Sequence, residues 1–104
     1  MRIIIRHFEK GYLCNDLRWR TWFHIGDGDD CVKEYYSFGW AKKKALRIGG
    51  ECVIIPEGMT YYFEGGDIKR PVIVHGGHHV EMEERIIGNV KVLGPLGEIE
   101  LLAS

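Results

Sequence analysis

The sequence lacks any apolar run long enough to cross a bilayer. Even its longest uncharged apolar runs, such as CVIIP at 52–56, are far too short, because a membrane-spanning helix needs about 20 apolar residues. The N-terminal residues MRIIIR are interrupted by charge too soon for a signal peptide. From these two absences we expect a cytoplasmic protein without a membrane partner.

Cysteine is scarce, and the chain carries little net charge. The three cysteines, at 14, 31 and 52, form no Cys-x-x-Cys pair, so their spacing predicts neither a disulfide framework nor a zinc knuckle. The formal net charge is −1 at pH 7, which leaves no overall field to attract nucleic acid or an anionic membrane. Attraction of a charged partner must therefore come from a local patch.

Proline is also rare, with three residues against 14 glycines. The glycines separate short β-prone runs, a pattern typical of antiparallel hairpins. A chain of 104 residues has the size of one domain with one core. We therefore predict a single domain over 1–104 of the mainly β (α+β) class, a compact antiparallel barrel or sandwich of short hairpin-connected strands with one short helix.

The helix is predicted near 38–48. Phe38, Ala41, Ala45 and Ile48 recur at spacings of three, four and three, which places them on one face of a helix. Ser37 can cap its start and Gly49 can end it. Lysines 42, 43 and 44 then turn mostly outward, as a solvated face.

The remaining segments predict strands. The first strand, at 2–8, carries three adjacent isoleucines and should be buried on both faces. Further strands are predicted at 18–25, 31–38, 51–55, 59–64, 67–75, 78–87, 90–93 and 98–102. Tight turns at Pro56-Glu57-Gly58, Gly65-Gly66, Gly76-Gly77, Gly88-Asn89 and Pro95–Gly97 are expected to join the strands of the C-terminal half.

A basic and aromatic surface is the leading candidate for binding. Alternation along 18–25 places Arg18, Arg20, Trp22 and His24 on one side of a strand. The other side, which is the predicted core face, carries Trp19, Thr21, Phe23 and Ile25. Lys33 and Tyr35 are expected beside them on the partner strand. Tryptophan, tyrosine and arginine dominate the energetics of protein interfaces, so another protein is the predicted partner. Two alternatives are a nucleic-acid platform that also uses Lys42 to Lys44, and burial of the tryptophans in the core.

A second candidate is a histidine hairpin. If Gly76-Gly77 forms a two-residue loop, His75 and His78 face each other on adjacent strands. Two imidazoles in this position could share a divalent metal ion, and a third ligand would come from His7, His24, Glu57 or Glu64. The alternative is that both histidines are exposed turn residues without a cofactor.

Residues 50–63, GECVIIPEGMTYYF, resemble the second conserved motif of the cupin barrels. The matching positions are Gly50, Glu51, Ile55, Pro56 and Gly58, and Tyr61 stands where the family has a metal-binding histidine. The first cupin motif, with its His-x-His, has no counterpart. The resemblance therefore implies a barrel without the standard metal centre, able to bind a small ligand beside Tyr61 and Phe63.

These features favour a small non-enzymatic binding module that acts by protein–protein interaction, such as an accessory or inhibitor protein of bacterial or phage type. No cofactor is expected, and a homodimer is an alternative assembly. The first alternative function is a cupin-like small-molecule or metal-binding barrel, including an enzymatic one. The second is a nucleic-acid-binding module.

Overall fold

Two sheets and two helices build the fold, and the computed structural model describes residues 1–24, 26–63 and 71–103. In chain order the elements are β1 (Arg2–His7), β2 (Gly11–Leu13), β3 (Trp19–Arg20), α1 (Phe38–Ile48), β4 (Glu51–Ile55), β5 (Thr60–Tyr62), β6 (Val72–His75), β7 (His78–His79), β8 (Glu83–Ile87), β9 (Val90–Gly94) and α2 (Leu96–Ala103). The larger sheet has the order β3-β2-β1-β4-β9-β8, and the smaller has the order β5-β6-β7. The predicted mainly β, α+β class is confirmed.

Strand β4 lies in the middle of the larger sheet and is buried on both faces. It pairs antiparallel with β1 and parallel with β9. Because successive side chains of a strand point to opposite faces, the sheet contributes one row to each of two cores. The three isoleucines of β1 are fully buried, which confirms their predicted burial on both faces.

The first core lies between the larger sheet and the helices. Its buried residues are Ile3, Ile5, Leu13, Cys52, Ile54, Val90 and Val92 from the sheet, with Ala41, Ala45 and Ile99 from α1 and α2. The second core lies between the same sheet and the smaller one. It holds Ile4, Tyr12, Cys14, Phe23, Val32, Val53, Ile55 and Leu93, with Tyr61 and Ile73 from β5 and β6. The molecule is therefore layered as helices, larger sheet and smaller sheet.

Helix α1 confirms the predicted helix. Ala41 and Ala45 are fully buried, and small side chains let the helix approach the sheet closely. Gly49 ends α1 in the left-handed region at φ 77°, and its N–H bonds to the carbonyl of Ala45. Ser37 occupies the N-cap position, but its side chain makes no capping hydrogen bond.

Helix α2 replaces the strand predicted at 98–102, which is wrong. The carbonyl of Pro95 accepts hydrogen bonds from the N–H groups of Glu98 and Ile99, at 3.1 and 3.2 Å. These bonds start a helical turn, and Ile99 becomes fully buried against the larger sheet. Across the described part of the chain, no helix has both the length and the apolar character needed to cross a membrane.

The predicted hairpins at Gly76-Gly77 and Gly88-Asn89 are confirmed. His75 lies opposite His78 across the first turn, and Ile87 lies opposite Val90 across the second. The predicted strand 78–87 is, however, divided into β7 and β8, which belong to different sheets.

The turn at Pro56-Glu57-Gly58 does form, but it does not make a hairpin. Both edges of β4 are already occupied by β1 and β9, so the chain leaves the larger sheet and β5 pairs with β6 instead. The Gly65-Gly66 turn and the predicted strand positions 67–70 lie outside the described residues.

The strand predicted at 18–25 is much shorter in the structure. Trp19 and Arg20 alone pair with β2, and Thr21 is exposed although the alternation placed it on the core face. Phe23 is buried and Trp22 is exposed, as predicted. Ile25 lies outside the described residues.

The strand predicted at 31–38 is reduced to isolated bridges at Cys31, Val32 and Tyr35. Asn15 explains part of the difference, because its N–H bonds to the Cys31 carbonyl at 2.9 Å and its side-chain amide donates to the Gly28 carbonyl at 2.8 Å. The loop 26–30 is therefore attached to the turn at Asn15 and does not close a regular hairpin.

Candidate functional site

The predicted basic and aromatic surface is divided in the structure. The exposed ring of Trp22 contacts His24, with ring centroids 5.0 Å apart. Arg20 is tied to Asp16 by two hydrogen bonds of 2.7 and 2.6 Å, and it also donates to the Asp29 carbonyl. Lys33 and Tyr35 line a separate cleft. Arg18 is exposed and does not line that cleft.

The cleft lies between residues 33–35 and helix α1 and has a volume of about 500 Å³. Its lining residues are Leu17, Lys33, Tyr35, Trp40, Lys43, Lys44 and Arg47. Among the residues that the structure describes, the lining combines four cations, two aromatic rings and one leucine, without a carboxylate. Its volume falls within the usual range for ligand pockets. Most such pockets are lined mainly by apolar side chains, whereas this cleft is lined mainly by charged ones and is open to solvent.

Helix periodicity explains how α1 supplies most of this lining. Trp40, Lys43, Lys44 and Arg47 lie three, four and seven residues apart, so they share the helix face opposite to Ala41 and Ala45. Trp40 is 70% exposed. Because the alanine face of α1 is buried against the sheet, the face with Trp40, Lys43, Lys44 and Arg47 lines the cleft beside residues 33–35.

Tyr35 is held in place by the larger sheet. Its N–H and carbonyl exchange hydrogen bonds of 2.7 Å with Ile3 of β1. Burial raises the pKa of the Tyr35 phenol, although nearby Arg47 opposes the shift. The phenol is therefore neutral at physiological pH and adds no negative charge to the cleft.

Leu17 forms one wall of the cleft by adopting a backbone conformation that leucine rarely takes. Its φ is 65°, in the left-handed region. The turn around it is closed by the Cys14 N–H to the Arg18 carbonyl at 2.9 Å and the Leu17 N–H to the Cys14 carbonyl at 2.8 Å. Leu17 is 54% exposed, so core burial does not account for this strained position.

Two of the four cations of the cleft lie over aromatic rings. The ammonium of Lys33 lies 5.2 Å from the centroid of the Tyr35 ring, and that of Lys43 lies 5.7 Å from the Trp40 ring. Within residues 1–24, 26–63 and 71–103, no carboxylate lies within ion-pair distance of Lys33, Lys43, Lys44 or Arg47. The cleft therefore concentrates unneutralised positive charge on an aromatic floor.

An apolar groove of about 370 Å³ continues from the cleft. It shares Lys33, Tyr35 and Trp40 with the cleft and adds Glu34, Tyr36 and Ser37. Tyr36 is 76% exposed. Two tyrosines and one tryptophan thus form a nearly continuous aromatic surface beside the cations.

Tyr61 and Phe63, the predicted pocket residues, lie in the core between the two sheets. The Phe63 ring packs edge-on against the rings of Tyr12, Phe23 and Tyr61, at centroid distances of 4.8, 4.7 and 5.8 Å. The Tyr61 hydroxyl donates a hydrogen bond of 2.5 Å to Glu34, and burial together with this bond raises its pKa. The position that resembles the cupin histidine is therefore part of an internal hydrogen-bonded pair.

His75 and His78 face each other at the exposed tip of the smaller sheet. His79 points elsewhere, and its Nε2 lies 3.2 Å from the hydroxyl of Tyr62. Within the described ranges, no three His, Cys, Asp or Glu side chains converge in an arrangement suited to a metal ion. Glu64, one of the predicted third ligands, is outside those ranges.

Sequence reasoning did not select Leu17, Tyr36, Trp40 or Arg47, and it named Lys43 and Lys44 only for the alternative nucleic-acid platform. The signal for Trp40 and Arg47 was present, because they share with Lys43 the exposed face of the correctly predicted helix. A tryptophan on that face has little reason to be there for packing.

No protein-family model, curated protein or solved structure matches this chain.

Proposed function

We propose that this chain is a small non-enzymatic binding module that holds an acidic segment of a partner protein in the cleft between residues 33–35 and α1. The observation that carries the proposal is a set of four cations that face one open cleft, whose described lining holds no carboxylate: Lys33, Lys43, Lys44 and Arg47. Like charges in close proximity repel each other, and an anionic ligand removes that repulsion.

The aromatic floor supports a protein as the partner. Tyrosine, tryptophan and arginine are the residues that contribute most to protein interfaces, and Tyr35, Trp40 and Arg47 meet here. Both rings lose little side-chain entropy when they are covered, because they have few rotatable bonds. An extended acidic segment can place carboxylates on the ammonium groups and its backbone over the rings.

Single-stranded nucleic acid is the second candidate, because cations beside stacking rings are also the arrangement of single-strand binding grooves. Two observations favour the protein partner. Arg20 is committed to Asp16, and Lys42 lies over the Phe38 ring away from the cleft. The basic set predicted for nucleic acid is therefore dispersed, and the chain has a net charge of −1.

The test is an NMR titration of the isotope-labelled protein with a short peptide of alternating Glu and Ser. We expect shifts of the amide signals of residues 33–36 and of α1, and we expect them to weaken with salt. The double variant Lys43→Gln with Lys44→Gln should bind about tenfold more weakly, because each exposed ion pair contributes up to about 1 kcal/mol.

Lys42→Gln is the matched control, since Lys42 has the same charge in the same helix but does not line the cleft. It should bind the peptide as the parent protein does. The proposal is wrong if the acidic peptide leaves the cleft signals unmoved at low salt. A stronger response to an oligothymidylate of equal charge would favour the second candidate.

A further inference from the structure

The surface beyond the cleft changes in charge along one direction. The cleft ends at Lys43, Lys44 and Arg47, and the aromatic groove follows. The groove shares Glu34 and Tyr36 with a third, smaller pocket that is also lined by Asn15 and Asp27. The order along the surface is therefore cationic, aromatic and then acidic.

Glu34 fixes the boundary between the aromatic and acidic parts. Its carboxylate accepts a hydrogen bond from Tyr61 at 2.5 Å and lies 3.6 Å from the Arg2 guanidinium. Arg2 is itself bonded to the carbonyl of Met59 and lies 5.4 Å from the centre of the Tyr61 ring. Because these contacts hold Glu34 at the edge of the second core, it does not neutralise the cations of the cleft.

We infer that the partner segment is bipartite, with acidic residues followed by a large apolar side chain that occupies the groove of Tyr35, Tyr36 and Trp40. This inference rests on the proposed function and specifies its ligand. Acidic residues are attracted to the four cations of the cleft, whereas the groove lining places the carboxylate of Glu34 beside Lys33, so the groove offers less attraction to a continuation of the acidic stretch. Its aromatic walls instead favour an apolar side chain, since burial of such a side chain removes both surfaces from water.

The exposure of Tyr36 supports this assignment. At 76% exposed, its ring contributes little to the core, and it stands beside Trp40 with both rings open to solvent. An apolar residue of the partner would cover both. This contact adds to the ionic attraction and differs from it, because it does not weaken as salt rises.

The experiment compares two peptides in the same NMR titration. The first alternates Glu and Ser, and the second is identical except that one terminal Ser is replaced by Phe, prepared with Phe at either end. We expect the better Phe peptide to bind about tenfold more tightly, given the free energy of burying part of a phenylalanine ring. That gain should persist at high salt, and the additional shifts should fall on Tyr36 and Trp40.

Tyr36→Ser separates the two parts of the site. This exposed substitution should abolish the gain from Phe, so that the all-acidic peptide and the Phe peptide bind the variant with equal affinity. Equal affinity of both peptides for the parent protein would overturn the inference and leave the proposed function standing. Absence of cleft shifts with either peptide would overturn both, as would displacement of the Phe peptide by an oligothymidylate of equal charge.

Discussion

Charged side chains are arranged in opposite ways in two regions of this molecule. On the face of the larger sheet that carries the second core, Arg6 pairs with Glu51, and the Lys91 ammonium lies 3.8 Å from Glu51 and 3.2 Å from Glu84. This ionic row crosses β1, β4, β9 and β8. In the cleft beside α1, four cations meet, and no carboxylate of the described part of the chain lines it.

The difference separates charges that hold the fold from charges that are open to a ligand. Glu51 is 8% exposed, so its carboxylate needs partners to compensate for lost hydration. Lys43 and Arg47 are exposed to water and need none. The four clustered cations nevertheless repel one another, and this slightly destabilises the ligand-free protein. An anionic ligand relieves the repulsion.

The largest effect on stability is expected in the ionic row. Arg6→Met removes the main partner of Glu51 and leaves a nearly buried carboxylate with Lys91 alone. We expect a loss of about 2 kcal/mol in the free energy of unfolding, less than for a fully buried pair because Lys91 remains. Urea denaturation measures this loss.

Lys91→Met is the matched control for Arg6→Met. Its side chain is 41% exposed, and its removal leaves the pair of Arg6 and Glu51 in place, so the change in stability should stay below about 1 kcal/mol. If the two variants lost the same free energy of unfolding, the pairing of the buried Glu51 carboxylate with Arg6 would not be the main source of stability in the ionic row.

A smaller effect is expected at the boundary between the two regions. Tyr61→Phe removes the hydroxyl that donates to Glu34 and leaves that carboxylate with Arg2. The expected loss is about 1 kcal/mol, the net value of one partly buried hydrogen bond. Tyr62→Phe, next in sequence but with an exposed hydroxyl near His79, should change stability by less than about 0.5 kcal/mol. Thermal or urea unfolding of the two variants gives the comparison, and similar values would show that the bond to Glu34 is not stabilising.

Much of the local structure was predictable because single short segments determine it. The spacing of Phe38, Ala41, Ala45 and Ile48 was enough to find α1. Paired turn residues were enough to find the hairpins at Gly76-Gly77 and Gly88-Asn89.

Pairing of distant segments was not predictable in the same way. The residue types alternate along 18–25 in the sequence, but Asn15 and Asp16 bond to the loop 26–30, and β3 ends after Arg20. The apolar run 51–55 was predicted to form a hairpin with 59–64. In the structure, β1 and β9 occupy the two edges of β4, so β5 pairs with β6 instead. The sequence around 51–64 does not show that β9 takes this place.

The candidate site was predictable in part. Lys33 and Tyr35 were selected as binding residues because cations and aromatic rings are typical of interfaces. They were, however, assigned to the same surface as Arg20 and Trp22. The correct neighbours lie on α1, where the lysine run was interpreted as a solvated face. Leu17 could not have been selected, because nothing in the sequence predicts that a leucine takes a left-handed conformation.

The ion pair beside the cleft should respond to acid. Two hydrogen bonds from the Arg20 guanidinium lower the pKa of the Asp16 carboxyl from 3.8 to about 2. A carboxyl with a lowered native pKa stabilises the fold above its unfolded pKa, and the contribution disappears as the pH falls from about 4 to about 2. Asp16→Asn should therefore have a lower unfolding midpoint than the parent protein near neutral pH, and this difference should vanish as the pH falls toward 2. Titration of the Asp16 carboxyl by NMR at its ordinary value would contradict this prediction.

The smallest effect on stability is expected in the cleft itself. Lys43→Gln with Lys44→Gln removes one exposed and one half-buried lysine, neither of which has a carboxylate partner in the described chain, so the free energy of unfolding in urea should change by less than about 0.5 kcal/mol. Because the variant has less repulsion between cations, its free energy of unfolding should even rise slightly at low salt. This gain in stability should disappear as salt screens the charges. The same variant should lose most of its affinity for the acidic peptide. A large loss of stability would instead show that these lysines hold the fold, and the distinction between paired and open charges would then fail at the cleft.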